Sequence, residues 1–397
     1  MTSEGYAGRR LDILARDRAR FGAGIVAELP SALAELDATS AFLVTDGGVV
    51  RSGVADRVVA GLAAAGLTLE VFDGVEPNPG TKSIESGSAR LARFLSEARD
   101  GATVVVALGG GSSMDSAKAI ALHAVNERDV MSLGYHDETV APGVHVVAVP
   151  TTAGTGSETN TYGVITDEGT GRKGYVGHPS VLPQMAILDP ELTLGLPPEP
   201  TAATGVDAMT HSLESLLSAH PNPLAEAIAL GVIRTVGEWL PVAVEDGSNL
   251  EARSRMLLAA HYAGVGQQSG TGVGAVHAIG HAIGSRGRLP HGTALATVMP
   301  EVFETYLGVR ERELALVAVA MNLADPRDAV EQSARIAIDG IAALLARVGQ
   351  RSTLTAQGLG PEMHETIAAD AADDPAISNS PRLPTKDDIL EILARVR

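Results

Sequence analysis

The feature that most constrains this chain is a change of rhythm near its middle. In the first half, β-branched runs at Ala41–Thr45, Leu67–Phe72, Thr103–Leu108, His145–Val149, Val164–Thr166 and Met185–Leu188 read as strands. Helix-like segments at 54–65, 83–98 and 112–126 separate several of them. The Thr103 and His145 runs are apolar without alternation, as strands covered on both faces of a parallel sheet should be. Strands separated by helices predict a doubly wound, Rossmann-like α/β domain. From about Thr201 onward the chain offers only Ala- and Leu-rich helical stretches, at 202–218, 223–240, 250–266, 273–284, 326–348 and 384–396. Pro197, Pro198 and Pro200 mark the break, because proline stops helix and sheet alike. The expected organisation is an α/β domain over residues 1–191 and an all-helical domain over residues 192–397.

Charge and cysteine usage remove several function classes. Thirty basic against 48 acidic residues leave a formal charge of −18, which argues against nucleic acid or anionic membrane as the main partner. With no cysteine, disulfides, thiolate metal sites and cysteine nucleophiles are excluded. The N-terminal MTSEGYAGRRLDILARDRARFG mixes charges where a secretory signal needs an apolar core. No uninterrupted apolar run approaches the roughly 18 residues of a membrane span. The expectation is a soluble cytoplasmic protein.

Two loops carry anion-binding chemistry. In TVVVALGGGSSMDSAK a strand runs into Gly109, Gly110 and Gly111, and Ser112 reads as a helix N-cap. Glycines let the backbone approach an anion, while the helix N-terminus supplies free N–H donors. The spacing is not G-x-G-x-x-G, so GGGS taken alone fits a plain strand-to-helix turn equally well. PTTAGTGSE at 150–158 also follows a strand and sets hydroxyls, Thr151 and Thr152 among them, beside flexible glycines. Two such loops fit a ligand across the carboxyl ends of the strands. Asp46 closes the first of the strands; an acid there can accept from ribose hydroxyls and repel a 2′-phosphate, although as a lone residue it reads more simply as the start of a turn.

The second half carries a metal-like pattern. Asp207 and His211 lie four apart in TGVDAMTHSLES, as do His277 and His281 in GAVHAIGHAIG, and His291 follows in LPHG. Residues four apart on a helix share a face. One carboxylate and several imidazoles suit a divalent first-row metal and do not separate iron from zinc. The remaining histidines, His123, His136, His145, His178, His220, His261 and His364, show no spacing relation and read as surface or hydrogen-bonded core. The acidic pairs Asp373–Asp374 and Asp387–Asp388 read as solvated faces and a helix N-terminal turn.

These motifs carry a resemblance. VTD at 44–46, EPNP at 76–79, GGGSSMDSAK at 109–118, PTTAGTGSE at 150–158, TGVDAMTHSLE at 204–214, HAIGH at 277–281, PHG at 290–292 and the PRLPTKDDILEIL tail follow one another as they do in iron-containing (group III) alcohol dehydrogenases of the dehydroquinate synthase-like fold. The resemblance implies Asp207, His211, His277 and His291 as metal ligands, and His281 beside the substrate as a proton relay. It also implies nicotinamide-cofactor contacts at Asp46, Gly109, Gly110, Gly111, Ser112, Asp115, Lys118, Thr151 and Thr152. The implied activity is hydride transfer between NAD(H) and a short alcohol or aldehyde, with Fe2+ or alternatively Zn2+ as Lewis acid. A zinc-dependent polyol dehydrogenase, or another reaction on the same fold, is the alternative. The expected assembly is a homodimer or higher homo-oligomer.

Around the substrate the chain departs from many members. Gln268 and Gly270 stand where phenylalanine and asparagine are common, and Arg286 and Arg288 replace aromatic or neutral residues. Arginine pairs with carboxylate, phosphate or phosphonate through its planar fork, so a polar or anionic substrate tail is one expectation, and two solvated surface arginines are the other.

Overall fold

A computed structural model describes residues 18–98, 101–134 and 137–397. His136 and most of the segment read for a secretory signal lie outside these residues. Among the described residues the first half holds eight strands: β1 (Ala19–Phe21), β2 (Ala38–Asp46), β3 (Thr68–Val75), β4 (Ala102–Gly109), β5 (Val146–Pro150), β6 (Tyr162–Thr166), β7 (Lys173–Gly177) and β8 (Met185–Leu188). Six of them form one parallel sheet in the order β1-β8-β5-β4-β2-β3. β6 and β7 stand apart from it as an antiparallel hairpin.

Helices α1 (Leu29–Ala34), α2 (Gly47–Arg51), α3 (Val54–Ala64), α4 (Thr81–Glu97) and α5 (Gly111–His123) connect these strands. Alternate strand residues face opposite sides. Phe42, Val44, Val105 and Ala107 pack with Ile84 and Leu91 of α4 and Ile120 of α5. Ala41, Leu43, Val104 and Val106 pack with Leu33 of α1 and Val58 and Leu62 of α3. Both faces are therefore covered, which is why Val104–Leu108 reads as one unbroken apolar run. The chain leaves β2 toward β3 on one side and β4 toward β5 on the other. The sheet's switch point thus lies between the ends of β2 and β4, at Asp46 and Gly109.

The second half is helical throughout: α6 (Pro198–Leu217), α7 (Pro223–Glu245), α8 (Leu250–Gln268), α9 (Ala275–Gly287), α10 (His291–Glu304), α11 (Glu311–Ala320), α12 (Val330–Arg347), α13 (His364–Ala372) and α14 (Lys386–Arg395). The prolines before residue 201 do not break structure; they begin it. Pro197 is the N-cap of α6 and Pro198 its first residue, where the missing N–H is no loss. α7 is long and apolar enough to cross a membrane by composition, and it packs between α6 and α8 with Ile233, Val236 and Leu240 in the helical core.

Seven strands and α-helices escape the sequence reading, among them α1 and α2, which are only six and five residues long. β1 is three residues long and lies at the sheet edge, and β7 (KGYVG) carries two glycines and a lysine. α10 begins directly at His291 after Pro290 and contains Pro300, so it has no conventional start signal. α11 and α13 are short, at ten and nine residues.

Candidate metal centre and cofactor cleft

α6 places Asp207 and His211 on one face, α9 brings His277 and His281, and His291 opens α10. The Nε2 atoms of His211, His277 and His291 lie 3.7, 3.6 and 3.5 Å from Asp207 Oδ1. Those separations are too long for hydrogen bonds. Two ligands each about 2.0–2.2 Å from one small cation at a tetrahedral angle sit about 3.3–3.6 Å apart, so the observed spacing is what a shared ion demands. Asp207 Oδ1 and His277 Nε2 are also buried without any hydrogen-bond partner. Buried polar atoms are rarely left so, and a cation between them would satisfy both. Asp207, His211 and His277 form the tightest group; His291 completes it from the cleft side and is 30 % exposed.

A second set of groups orients the first. Glu214, three residues past His211 on α6, takes the Nδ1–H of His277 at 2.6 Å and the Val276 N–H at 2.7 Å. Burial works against charge on Asp207, yet His211, His291 and His277 hold its carboxyl well below the usual range. Burial also presses on His277, but Glu214 and Asp207 outweigh it and carry the imidazole up to about 9. Burial pushes His211 and, more strongly, His291 down, which favours the neutral imidazole, the form that ligates a metal.

His281 lies beside this group, its ring stacked on His291 with centroids 5.3 Å apart. Its Nδ1 is 2.8 Å from Asp374 Oδ2. Asp374 is therefore no solvated residue: the turn after α13 folds it back over α9, while its neighbour Asp373 stays exposed and pairs with Arg172. Asp388, by contrast, sits where a helix N-terminal turn was expected, in the capping box of α14 with Thr385.

The sheet faces this cluster across an open cleft, lined from one side by Gly111, Ser112 and Asp115 and from the other by Asp207, His211, His277, His281 and His291. α5 begins at Gly111, so Gly110 is its N-cap and Ser112 lies in its first turn. With a glycine cap and no side-chain oxygen to accept them, the first-turn N–H groups stay available to an anion. Gly111 and Ser112 line the cleft. Gly109, at φ +147°, holds a conformation that favours glycine, and a Cβ there would meet Ser113 and Asp46. Thr151 donates its N–H to Gly109 O at 2.9 Å, and the buried Thr152 hydroxyl, beside Gly110, has no partner.

Asp46 caps α2 through Gly48 and Val49 N–H and takes the Ser113 hydroxyl on its other oxygen at 2.8 Å. Asp115 lines the cleft, with Ser157 Oγ at 2.5 Å and Val164 N at 3.0 Å. Lys118 does not reach the cleft surface. It is 1 % exposed and donates to Ser157 O, Ser157 Oγ and Asn160 Oδ1 at 2.9, 2.7 and 2.5 Å. Its ammonium also stands 3.3 Å from Asp115 Oδ1, so Lys118 ties α5 to the 150–160 loop from behind.

The arginines fall on the surface. Arg286 forks onto Asp370, with Nε 2.8 Å and Nη2 2.5 Å from the same carboxylate oxygen, and is 42 % exposed. Arg288 is exposed at the C-cap of α9. Neither lines the cleft, because both lie past the last turn of α9 that faces it. The wall comes instead from the β6–β7 hairpin, whose Tyr162, Val164, Lys173 and Tyr175 share one face through the pairs Val164↔Tyr175 and Thr166↔Lys173. The side chains of Gln268, placed near the substrate by the sequence, and of Gln267 lie near the Tyr162 hydroxyl. Sequence reasoning missed Glu214, Asp374, Lys173 and the tyrosines. Only Glu214 left a usable signal, its spacing from Asp207 and His211 on one helix face.

A carboxylate–imidazole centre and a glycine-rich helix N-terminus thus open on one cleft, an arrangement suited to a metal-dependent dehydrogenase. Residues 17–190 match the iron-containing alcohol dehydrogenase family, and residues 201–396 match the C-terminal region of the Fe-containing alcohol dehydrogenase family. The probable alcohol dehydrogenase EutG of Salmonella typhimurium is 36 % identical over 355 residues, spanning 89 % of this chain and 86 % of that protein. An NAD-dependent methanol dehydrogenase of Bacillus methanolicus is 33 % identical over 372 residues, 94 % of this chain and 96 % of that one. The crystal structure of a 1,3-propanediol oxidoreductase superposes with a TM-score of 0.92 at 33 % identity, covering 98 % of this chain and 100 % of the other. The chain belongs to the iron-containing alcohol dehydrogenase family and is an oxidoreductase of that type.

Proposed function

We propose that this chain moves a hydride between NAD(H) and a short alcohol or aldehyde at an iron centre held by Asp207, His211, His277 and His291. The observation that carries the reading is the convergence of three imidazoles on an unpartnered buried carboxylate oxygen at one end of the cleft. When bound there, the divalent ion supplies Lewis acidity toward a substrate oxygen, and the nicotinamide supplies the hydride chemistry. Glu214 keeps His277 turned toward the ion by accepting its Nδ1–H. Residues 1–191 form the cofactor domain in this reading. The N-terminus of α5, with Gly109, Gly110, Gly111 and Ser112, receives the pyrophosphate, and Thr152 offers its free hydroxyl beside it. Asp46 takes the adenosine ribose, Asp115 and Thr151 border the nicotinamide half, and Lys118 fixes the loop between them.

Residues 192–397 supply the metal and the proton path. His281 exchanges a proton with the reacting oxygen and passes it to solvent, a task imidazole suits near neutral pH. The hairpin tyrosines, Lys173 and Gln267 make the substrate end polar, which favours short hydroxylated substrates over long alkyl ones. Iron is preferred to zinc, and alcohol to polyol chemistry, on the family assignment. The protein is read as cytoplasmic and homo-oligomeric, with no nucleic acid or membrane partner.

The test combines metal analysis with NADH oxidation by a panel of short aldehydes. Wild type is expected to hold about one divalent ion per chain and to consume NADH. His277→Ala is expected to lose most of both. Full metal occupancy in that variant would overturn His277 as a ligand.

A further inference from the structure

The turn between α13 and α14 brings a carboxylate behind a histidine of the cleft wall from 93 residues further along the chain. Asp374 Oδ2 lies 2.8 Å from His281 Nδ1, and its other oxygen takes the Ala376 N–H at 2.9 Å as N-cap of the short 3₁₀ turn Pro375–Asn379. Both oxygens are thus committed, each to one donor, and the carboxylate cannot rotate without breaking a bond. The pair is little exposed, at 12 % for His281 and 16 % for Asp374, so water competes weakly for the bond. A carboxylate has only acceptors, so His281 must present its Nδ1 as N–H. Its Nε2 is then the lone-pair nitrogen of the neutral ring. His281 lines the same cleft as Asp207, and its ring stacks on His291, so the ring plane is set by two contacts at once.

We propose that Asp374 is a positioning residue for proton transfer: it fixes the tautomer and orientation of His281 so that Nε2 meets the proton leaving the substrate oxygen. The inference rests on the reading of His281 as the relay. In alcohol oxidation the substrate proton passes to Nε2, the imidazolium shares its Nδ1–H with Asp374, and the proton then leaves from Nε2 to solvent. Asp374 itself is never protonated. Aldehyde reduction runs the same steps backwards.

The substitution Asp374→Asn isolates this role. Ala376 N–H needs an acceptor, so the asparagine oxygen stays on it and the cap survives; the amide then faces Nδ1 as a donor. That reverses the tautomer and leaves Nε2 carrying the proton when it should accept one. In the metal-loaded enzyme, kcat for alcohol oxidation is expected to fall on the order of 100-fold, with metal content, Tm and KM for NAD+ near wild type. Asp374→Glu, which restores the acceptor, should recover part of kcat. Asp373→Asn, one residue away on the exposed side, should leave it unchanged. Long-range 1H–15N spectra of histidine-labelled, zinc-loaded protein, with the His281 ring identified by its loss in His281→Ala, should show the proton on Nδ1 in wild type and on Nε2 in Asp374→Asn. Wild-type kcat in Asp374→Asn alongside an impaired His281→Ala would overturn the positioning role, as would a kcat loss accompanied by lost metal or cofactor affinity. Wild-type kcat in His281→Ala would overturn the relay itself.

Discussion

Glu214 Oε2 stands 2.6 Å from His277 Nδ1, on the side of the ring away from Asp207. The carboxylate is 4 % exposed and also receives the Val276 N–H, so the helix that carries two proposed ligands also orients a third on α9. Glu214→Gln keeps the shape and removes the charge. Metal affinity is expected to fall about 10- to 100-fold, the usual cost of losing a group that orients a ligand. Chelator competition measures it directly, and an unchanged affinity would detach Glu214 from the site.

Gly292, next to His291, touches α6. A Cβ there would lie 1.8 Å from Ala203 O, and backbone cannot move aside as a flexible side-chain tip can. Gly292→Ala must therefore push α10 off the helix that carries Asp207. A destabilisation of about 3 kcal/mol is expected, together with weakened metal binding. Denaturant unfolding of the metal-free protein separates the two effects. A variant as stable as wild type would mean that α6 and α10 do not approach so closely.

Arg286 offered a sequence-level reason to expect an anionic substrate, and its pairing with Asp370 removes that reason. Arg286→Ala is expected to leave kcat/KM within about twofold for a carboxylated aldehyde and for its neutral analogue alike, as for an exposed pair. A selective loss with the charged substrate would bring the arginine back to the cleft.

These cases show which parts of the architecture are written locally. β4 and β5 are legible because burial on both faces leaves an apolar run that nothing else explains. Asp207, His211, His277 and His281 are legible because a helix converts a spacing of four into one face. The β6–β7 hairpin is half lost: its Tyr162 and Val164 strand reads as β, but Gly174 and Gly177 dilute the other. Asp374 is invisible for a different reason. Its partner lies 93 residues earlier, and only the turn after α13 brings them together, so a pair of acids in sequence looks like solvated surface. Lys118 shows how a motif leaves a side chain's partners unread. Its motif points to a ligand, and the fold spends its protons on Ser157 and Asn160.

Asp46 raises the question of cofactor choice, and its geometry sharpens the expectation. It closes β2 at the switch point, opposite the Gly109 turn, where a dinucleotide crosses the sheet. Its carboxylate is already held by Gly48 N, Val49 N and Ser113 Oγ, so it cannot swing away from an approaching phosphate. A ribose 2′-hydroxyl can donate to a carboxylate so fixed, whereas a 2′-phosphate would add like charge at close range. Wild type is therefore expected to prefer NAD(H) over NADP(H). Asp46→Gly removes the charge while keeping a residue that tolerates the N-cap position, at a few tenths of a kcal/mol. The preference, read as the ratio of kcat/KM values, should narrow about 10-fold or more, chiefly through a lower KM for NADP(H). A wild type that favours NADP(H), or a ratio unmoved by Asp46→Gly, would place the adenosine ribose elsewhere on the sheet edge.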